Sequence, residues 1–312
     1  MSNRYDVIII GGGPAGLTSA VYALRAGKSV LVLEKSTFGG QITWSPQVQN
    51  FPTIISASGN EIGDLMMSQA MEQGAELELE EVVSVTDGAE IKTVECESGA
   101  RYEAKAVIIA TGAKPRMLGL PNEEELVGAG VCFCAVCDGA FYTGKPVAVN
   151  GGGNSALQDT LLLCEKCSKV YLVHRRNTFK CEAKLLEAAE KKSNVEIIRN
   201  CSVAELIGDG ELKGIKLSDG RVLDVDGLFV AVGHDPQNEI FSKYIALDEK
   251  GYADSGEDCM TKTPGIFVAG DCRKKGVHQL TTAVADGATA ALAACKYIDS
   301  ELNKAEAKFL SC

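Results

Sequence analysis

Basic residues, histidines and long hydrophobic segments are all scarce in this sequence. Its 31 lysines and arginines face 42 aspartates and glutamates, and the formal net charge of -11 argues against nucleic acid or an anionic membrane as a partner. No apolar run approaches the ~20 residues that a membrane-spanning helix needs. With only three histidines, and no cysteine or histidine pair that follows Cys134 and Cys137 at zinc-finger spacing, a structural zinc ion would lack a full ligand set. We therefore expect no metal, nucleic acid or membrane partner.

Aromatic residues are also few, at 6%, whereas glycine is abundant at 33 residues. This balance is typical of α/β proteins with tight turns. A length of 312 residues predicts about two domains, each large enough to bury a core without disulfide or metal staples. The opening residues lead directly into a predicted strand, so we expect no signal peptide, a cytoplasmic location and mostly free thiols among the 12 cysteines.

One cysteine pair, Cys134 and Cys137, is followed at once by a carboxylate, Asp138. Two thiols at this spacing can close a small disulfide that accepts two electrons. Gly-rich loops occur both upstream and downstream, which predicts a flavin, a nicotinamide and a disulfide working in series. Cys132 adds a third sulfur, so the alternative is a metal or nucleotide sensor that uses these thiols as ligands. We instead expect Cys132 to be a buried strand residue.

The first Gly-rich loop matches the complete Rossmann fingerprint for dinucleotide binding, between a predicted strand and a predicted helix. Gly11 permits a tight turn, Gly13 lets a pyrophosphate approach the helix N-terminus, and Gly16 lets helix and strand pack closely. Glu34 ends the next strand, 21 residues after Gly13, where a carboxylate accepts ribose hydroxyls. The loop consists of Gly11, Gly12, Gly13, Pro14, Ala15 and Gly16.

A second Rossmann pattern follows the cysteine pair. Its loop consists of Gly151, Gly152, Gly153, Asn154, Ser155 and Ala156, with alanine in the place of the third glycine. The next predicted strand ends in His174, Arg175 and Arg176 instead of an acid. Two guanidinium groups at this place favour a 2′-phosphate, and hence NADPH over NADH. A solvated basic edge is the alternative.

The C-terminal part contains a predicted strand and a predicted helix that do not belong to the second Rossmann pattern. After a chain crossing expected near 242–248, an apolar strand ends in Gly270 and Asp271, whose carboxylate can accept hydrogen bonds from the ribityl hydroxyls of a flavin. The last helix, starting near Gln279, is rich in small residues over its first turns. This composition favours close approach of a flat flavin ring, and simple helix packing is the alternative.

Three further cysteines could in principle react. Cys164 and Cys167 form a second CxxC, but they fall at the end of the helix after the second loop, where the spacing reflects helix periodicity rather than a redox centre. Cys312, at the C-terminus, has no nearby partner cysteine, so we expect an inert tail rather than a mobile thiol.

In order and spacing, these motifs resemble the low-molecular-weight bacterial thioredoxin reductases over essentially the whole chain. The matching segments are 11–16, 39–41, 110–112, 134–138, 151–156, 174–176 and 270–271. The resemblance implies an α/β fold of two Rossmann-like three-layer nucleotide-binding domains. A discontinuous FAD domain would comprise 1–115 and 245–312, and an inserted NADPH domain, 116–244, would carry the cysteines. The resemblance also implies a homodimer whose protein substrate is thioredoxin.

The resemblance further implies roles for individual residues. Electrons pass from NADPH through FAD to the disulfide, Cys137 is the sulfur nearer the flavin, Cys134 attacks thioredoxin, and Asp138 is the general acid or base. A rotation of one domain against the other serves the two steps in turn, with hinges near 114–116 and 242–248. Further cofactor contacts are implied for Gly40, Gln41, Asn50, Thr111, Gly112, Lys180, His278 and Gln279.

The sequence departs from the family pattern at four positions that bear on cofactor affinity. His278 and Lys180 replace frequent arginines, Asn177 replaces a frequent aspartate, and Asn150 interrupts an apolar strand end. Some family members take electrons from ferredoxin. A reductase with that donor, or with another disulfide partner such as a peroxiredoxin-reducing protein, is therefore the alternative function, although the arginine pair at the strand end argues for NADPH.

Overall fold

The computed structural model describes residues 3–88 and 90–310, with side chains as far as Glu301. The chain divides into two compact units, the first made of Met1–Lys114 and Asp235–Cys312 and the second of Pro115–His234. Within the described residues, no helix is long and apolar enough to cross a membrane.

Strands and helices alternate along much of the chain. The strands are β1 Arg4–Ile10, β2 Val30–Glu34, β3 Glu76–Leu79, β4 Val82–Gly88, β5 Ile91–Cys96, β6 Arg101–Ile109, β7 Ala113–Pro115, β8 Val131–Cys132, β9 Pro146–Gly151, β10 Lys169–His174, β11 Val195–Arg199, β12 Val203–Gly208, β13 Leu212–Leu217, β14 Val222–Leu223, β15 Gly227–Ala231, β16 His234–Pro236 and β17 Ile266–Val268. The α-helices are α1 Pro14–Arg25, α2 Gly59–Glu72, α3 Ala135–Asp138, α4 Asn154–Leu163, α5 Ala183–Glu190 and α6 Leu280–Leu310. Short 3-10 helices lie at Gly40–Trp44, Gly139–Tyr142, Glu239–Phe241 and Gly270–Cys272.

A seven-stranded sheet organises the first unit, in the order β3-β2-β1-β6-β5-β4, with β17 also paired to β6. β3, β2, β1, β6 and β17 run parallel to one another, whereas β5 pairs antiparallel with both β6 and β4. The apolar end of β1, Val7 to Ile10, is buried throughout, as in parallel strands with both faces covered. The carboxyl ends of β1 and β2 lead into the first Gly-rich loop and to Glu34.

Small residues let α1 and α6 pack closely against each other. A Cβ atom added at Gly287 would lie 2.3 Å from Ala15 O, and Ser19 Oγ donates to Gly287 O at 3.0 Å. Ala290 and Ala294 are fully buried in the same core. Gly287, Ala290 and Ala294 therefore serve helix packing, whereas a flavin contact of the first turns of α6 stays a prediction.

The second unit contains a five-stranded parallel sheet, β11-β10-β9-β15-β8, and an antiparallel sheet, β12-β13-β14. Cys132 is buried in β8 and pairs with Phe229, as expected of a strand residue. Asn150 is buried in β9, where it pairs with Val173 of β10 and Val230 of β15. This polar residue therefore does not interrupt the strand. Parallel sheets joined through helices in both units confirm the predicted α/β class.

The second chain crossing differs from the sequence expectation. It lies at His234–Asp235, whereas the sequence placed it in 242–248 and the domain boundary after residue 244. Phe241 and Ile245 are buried in the core of the first unit, together with β1 and β2 side chains. Because burial of these large apolar side chains stabilises the segment there, the chain has already returned to the first unit by Asp235.

Both crossings follow the same short pattern. Residues 110–115 read Ala-Thr-Gly-Ala-Lys-Pro, and residues 231–236 read Ala-Val-Gly-His-Asp-Pro. The glycine has a positive φ in each case, 71° at Gly112 and 108° at Gly233, a conformation that glycine adopts without the usual steric cost. The strands that follow, β7 and β16, pair with each other in a two-stranded sheet.

Candidate active site

The two cysteines of the CxxC motif are joined, as the sequence predicted. Cys134 and Cys137 form a disulfide with an S–S distance of 2.18 Å and a Cα–Cα distance of 5.3 Å. Cys134 is the N-cap residue of α3, and the Cys137 backbone N–H donates to Cys134 Sγ at 3.1 Å. A hydrogen bond of this kind stabilises negative charge on the sulfur that accepts it.

Asp138 lies beside the disulfide in a poorly hydrated environment. Burial raises the pKa of its carboxyl group to about 6, although a hydrogen bond with the Cys132 thiol acts in the opposite direction. Cys132 Sγ in turn lies 3.3 Å from Tyr142 Oη. Burial, reinforced by the Asp138 charge, raises the pKa of Cys132 to about 12, so this third sulfur remains a protonated thiol near neutral pH. The redox pair is thus accompanied by a carboxyl group that can exchange a proton in that range.

The three fingerprint glycines of the first loop, Gly11, Gly13 and Gly16, have different surroundings. A Cβ atom added at Gly11 would lie 2.3 Å from Ala110 O, and one at Gly16 would lie 1.9 Å from Gly11 O. A Cβ atom at Gly13 would meet nothing closer than 3.9 Å, at Gly40 Cα. Gly11 and Gly16 are therefore required by the protein itself, whereas Gly13 leaves one face of the loop open at the start of α1.

Glu34 holds the first loop by hydrogen bonds. Its Oε2 accepts the Gly12 backbone N–H at 2.7 Å, and its Oε1 accepts both the backbone N–H and the hydroxyl of Ser36, at 2.9 and 3.2 Å. A carboxylate has about four acceptor positions, so one remains for a ribose hydroxyl. The sequence predicted the ribose contact but not these loop contacts.

The remaining predicted residues of the first unit gather around the same loop. Gly40 packs on Gly13, with an added Cβ atom only 3.0 Å from Gly13 Cα. Gln41 Nε2 donates to Ala113 O at 3.0 Å, and Asn50 Nδ2 donates to Gln279 Oε1 at 3.3 Å. Thr111 follows Ala110, whose backbone oxygen lies against Gly11. The hydroxyl oxygen of Thr111 is buried and has no hydrogen-bond partner among the described residues.

His278, by contrast, packs on a neighbouring ring. Its imidazole lies 5.6 Å from the ring of Tyr252 and is exposed. Its backbone oxygen accepts the Gln279 side-chain amide at 2.8 Å. The structure therefore gives the His278 ring an aromatic partner, and a cofactor contact stays a prediction.

The second loop repeats the arrangement of the first. A Cβ atom at Gly151 would lie 2.5 Å from Ala231 O, so this glycine is required by the turn. A Cβ atom at Gly153 would meet nothing closer than Lys180 O, at 4.0 Å. Ala156, at the place of the third glycine, is fully buried. As in the first loop, the middle glycine leaves an open face at a helix N-terminus.

The basic strand end lies directly against the second loop. The His174 ring covers Gly152, where an added Cβ atom would lie 2.1 Å from the ring, and His174 Nε2 lies 3.1 Å from Thr178 O. Burial lowers the pKa of His174, and Arg176 and Arg175 act in the same direction, so the ring is neutral at pH 7. Both arginines are exposed, and neither forms an ion pair within the described part of the chain.

Two other residues predicted to contact the cofactor, Lys180 and Asn154, form hydrogen bonds that hold the second loop. The Lys180 backbone N–H donates to Gly152 O at 2.8 Å, while its side chain is exposed. Asn154 Oδ1 accepts the Glu182 backbone N–H at 2.8 Å, and its Nδ2 donates to Glu182 Oε1 at 3.3 Å. Asn154 thus ties the loop to the 180–182 segment. Ser155 is exposed at the helix start.

The second CxxC does not form a disulfide. Cys164 is the C-cap residue of α4, and both Cys164 and Cys167 are buried and free. Burial raises the pKa of Cys167 to about 11, which disfavours the reactive thiolate. Cys312 lies outside the described residues.

Comparison with known proteins places the chain among disulfide oxidoreductases. Residues 5–287 match the family described as pyridine nucleotide-disulphide oxidoreductase. The chain belongs to this family. It is 43% identical over 307 residues to a thioredoxin reductase of Listeria innocua, covering 96% of each chain, and 39% identical over 301 residues to one of Bacillus subtilis, covering 95% of each. A crystal structure of thioredoxin reductase from Streptococcus pyogenes MGAS5005 matches with a TM-score of 0.91 and 36% identity, over 96% of this chain and 100% of that one.

These matches confirm the resemblance to low-molecular-weight thioredoxin reductases and the two-domain, Rossmann-like fold. As a member of this family, the chain is an enzyme, a disulfide oxidoreductase whose cofactors are FAD and NADPH. The residues present fit both cofactors. Each loop leaves open the face at the second of its three fingerprint positions. Among the described residues, the buried Thr111 hydroxyl has no hydrogen-bond partner and the two arginines after β10 form no ion pair.

Several residues of the site escaped the sequence interpretation. Tyr142 was not singled out because a lone aromatic residue carries no spacing signal. Asp286 and Lys275, described below, belong to a buried ionic cluster behind Asp271. The signal for Asp286 was present, since a carboxylate in the small, apolar start of the last helix must be paired when it is buried.

Proposed function

We propose that this chain is a thioredoxin reductase, which passes electrons from NADPH through FAD and the Cys134–Cys137 disulfide to the disulfide of thioredoxin. One observation carries the proposal: the CxxC motif forms a disulfide in a chain whose relatives from Listeria innocua and Bacillus subtilis are thioredoxin reductases. The first unit binds FAD at the first loop, and the second unit binds NADPH at the second loop. The open faces at Gly13 and Gly153 support this assignment.

The chain's own residues divide the chemistry between them. FAD, when bound, supplies two electrons to the disulfide, which breaks the S–S bond. Cys137 is the sulfur that accepts them, and Cys134 is released as a thiolate that its hydrogen bond from the Cys137 N–H stabilises. Cys134 then attacks the thioredoxin disulfide, forming a mixed disulfide and releasing a thiolate on thioredoxin.

Completion of the cycle requires a proton and the second cysteine. Asp138, with its pKa of about 6, is the acid that protonates the released thiolate. Cys137 attacks Cys134 in the mixed disulfide, which restores the Cys134–Cys137 disulfide and frees the reduced thioredoxin. Two electrons enter and two leave, so the disulfide is unchanged after each turnover.

Rotation of one unit relative to the other gates the two half-reactions in this proposal. The support is the chain order: the cysteines and the second loop belong to one unit, whereas the first loop and Asp271 belong to the other. Two crossings with positive-φ glycines connect the units and can absorb changes in dihedral angle.

The proposed assembly is a cytoplasmic homodimer that acts without a metal, a nucleic acid or a membrane. Nine cysteines of the described chain are free, which fits a reducing compartment. The net charge of -11 fits a protein that avoids polyanionic partners. Sedimentation of the purified protein tests the dimer.

The deciding experiment compares electron donors and acceptors with the purified flavoprotein. NADPH with thioredoxin should sustain turnover, whereas reduced ferredoxin as donor, or a peroxiredoxin-reducing disulfide protein as acceptor, should not. A variant with both Cys134 and Cys137 replaced by serine should accept electrons from NADPH but leave thioredoxin oxidised. Faster turnover with ferredoxin, or with another disulfide protein, would replace the proposed donor or substrate.

A further inference from the structure

A buried ionic cluster lies behind the Gly270–Asp271 turn in the first unit. Asp286, near the start of α6, is at its centre and is 7% exposed. Its Oδ2 accepts the Gly270 backbone N–H at 3.1 Å, Lys275 Nζ at 3.1 Å and Arg273 Nε at 3.2 Å, and its Oδ1 accepts Arg273 Nη2 at 2.9 Å. Asp286 therefore fixes both the turn and two cations.

The charge on Asp286 is maintained by these partners. Burial alone would raise the pKa of Asp286, but hydrogen bonds and charges from Arg273 and Lys275 outweigh burial and hold it below its usual value. Arg273, whose side chain is 2% exposed, also donates to Gly256 O at 2.9 Å. Asp286 and Arg273 thus form an anchored pair, which leaves the Lys275 charge available to a second carboxylate.

That second carboxylate is Asp271. Lys275 Nζ lies 3.2 Å from Asp271 Oδ1, and the lysine side chain is only 7% exposed. The atoms are not aligned for a hydrogen bond, and Asp271 Oδ1 is a buried atom with no hydrogen-bond partner within the described residues. Lys275 therefore holds Oδ1 by its positive charge, while the rest of the Asp271 side chain, which is 36% exposed, can present the carboxyl group to a donor hydroxyl.

We propose that Lys275 is a positioning residue for flavin binding, held by Asp286 so that it orients the Asp271 carboxylate as the acceptor of a ribityl hydroxyl. The inference rests on the proposed role of Asp271 in the FAD site. Without Lys275, the buried Asp271 Oδ1 would lose the cation that lies against it, and a buried polar atom without a partner favours another orientation of the carboxyl group. Lys275 acts on the cofactor through Asp271 and needs no contact with it.

A double-mutant cycle on the full-length protein tests the inference. FAD is removed, and its dissociation constant is measured from the quenching of flavin fluorescence in the wild type, Lys275→Met, Asp271→Asn and the double variant. Each single substitution should weaken FAD binding at least ~10-fold, the effect of losing one hydrogen bond to a charged group. The double variant should bind within about threefold of Asp271→Asn, because the lysine has lost the group through which it acts.

Two controls separate positioning from folding. Lys274→Met removes an exposed lysine that pairs with Asp254 at 3.4 Å, and FAD affinity should not change. Lys275→Arg keeps the charge and should restore affinity to within about threefold of the wild type. Thermal unfolding of each cofactor-free variant reports damage to the fold independently, and Lys275→Gln replaces Lys275→Met if the latter does not fold.

Several results would overturn the inference. They are multiplicative losses in the double variant, wild-type affinity in Lys275→Met, and losses equal in Lys275→Arg and Lys275→Met. Wild-type affinity in Asp271→Asn would remove the proposed role of Asp271 and the inference with it. A protein that shows the expected cycle but does not reduce thioredoxin would overturn the proposed function and leave the role of Lys275 standing.

Discussion

At the scale of single residues, the redox site includes a carboxyl group, Asp138, whose protonation changes near pH 6. Its folded pKa of about 6 lies above the usual value for aspartate because burial disfavours the charged form. Below pH 6 the carboxyl group holds a proton that it can deliver to a thiolate, and above pH 6 it progressively loses that proton. The side chain is therefore an acid at low pH and a base at high pH.

The pH dependence of thioredoxin reduction should reveal which of these roles limits the rate. If Asp138 is the acid, kcat/KM for thioredoxin should fall about tenfold per pH unit above ~6, since only the protonated form acts. Asp138→Asn should lower the rate about 10²-fold or more and abolish this dependence. A rate that rises through pH 6 would instead make Asp138 the base in that step.

Serine substitutions should distinguish the two cysteines. In Cys134→Ser the remaining Cys137 thiolate should give a long-wavelength absorption band with oxidised flavin, because Cys137 is the proposed electron acceptor. In Cys137→Ser the remaining Cys134 should trap thioredoxin as a mixed disulfide that non-reducing electrophoresis detects. Serine at Cys132, a buried thiol outside the pair, is the control and should retain turnover. Identical spectra and trapping in the two variants would contradict the assignment.

At the scale of elements, the glycines of the first Gly-rich loop differ in whether packing of the protein or binding of the cofactor requires them. Gly13→Ala should leave the free energy of unfolding within about 0.5 kcal/mol of the wild type, because the added methyl group meets no protein atom closer than 3.9 Å. It should raise the dissociation constant of FAD more than ~10-fold by occupying the face that a pyrophosphate approaches.

Gly16→Ala should behave in the opposite way. Its methyl group would lie 1.9 Å from Gly11 O, so we expect a loss of about 1 to 3 kcal/mol of stability in the cofactor-free protein. Chemical denaturation and FAD titration of both variants provide the measurement. Equal loss of stability in the two variants would show that Gly13 is also required for folding.

The basic end of β10 should set the choice between NADPH and NADH. Replacing Arg175 and Arg176 by glutamine removes two charge-assisted hydrogen bonds to a 2′-phosphate, each worth about 1.5 to 3 kcal/mol, so KM for NADPH should rise well over tenfold. KM for NADH should change little. Arg221→Gln is the control, because Arg221 is an exposed arginine of the same unit that pairs with Asp219 at 2.7 Å. Unchanged NADPH kinetics would identify the arginine pair as a solvated edge and favour the ferredoxin alternative.

At the scale of the whole molecule, the crossings between the units should control turnover. Gly233→Ala places a side chain at a φ of 108° beside the second crossing and should cost about 1 to 2 kcal/mol. If rotation gates the reaction, single-turnover reduction of the flavin by NADPH should slow several-fold in stopped-flow measurements, while the flavin spectrum and NADPH affinity stay unchanged.

A glycine away from the crossing provides the matched control. Gly220 has a φ of 90° in the turn between β13 and β14, and an added Cβ atom there meets nothing within 4 Å. Gly220→Ala should cost similar stability without slowing flavin reduction. Equal slowing in both variants would attribute the effect to strain in general, and an unchanged rate in Gly233→Ala would argue against gating at this crossing.

The sequence by itself determined the local chemistry of this protein. The spacing of Cys134 and Cys137 predicted a disulfide, and the glycine loops with their flanking strands predicted two nucleotide-binding units, because the steric rules for tight turns and helix starts act over a few residues. The acid at Glu34 and the arginines after β10 followed from the same patterns. All of these features depend on neighbours along the chain.

Only the tertiary structure decided features that depend on residues far apart in the sequence. The return of the chain at Asp235 depends on burial of Phe241 and Ile245 in a core formed with β1 and β2. The pKa of Asp138 depends on how deeply the folded unit buries it. The cluster around Asp286 unites the turn after β17 with α6. Burial and ion pairing are set by packing in three dimensions, and no pattern of spacing specifies them.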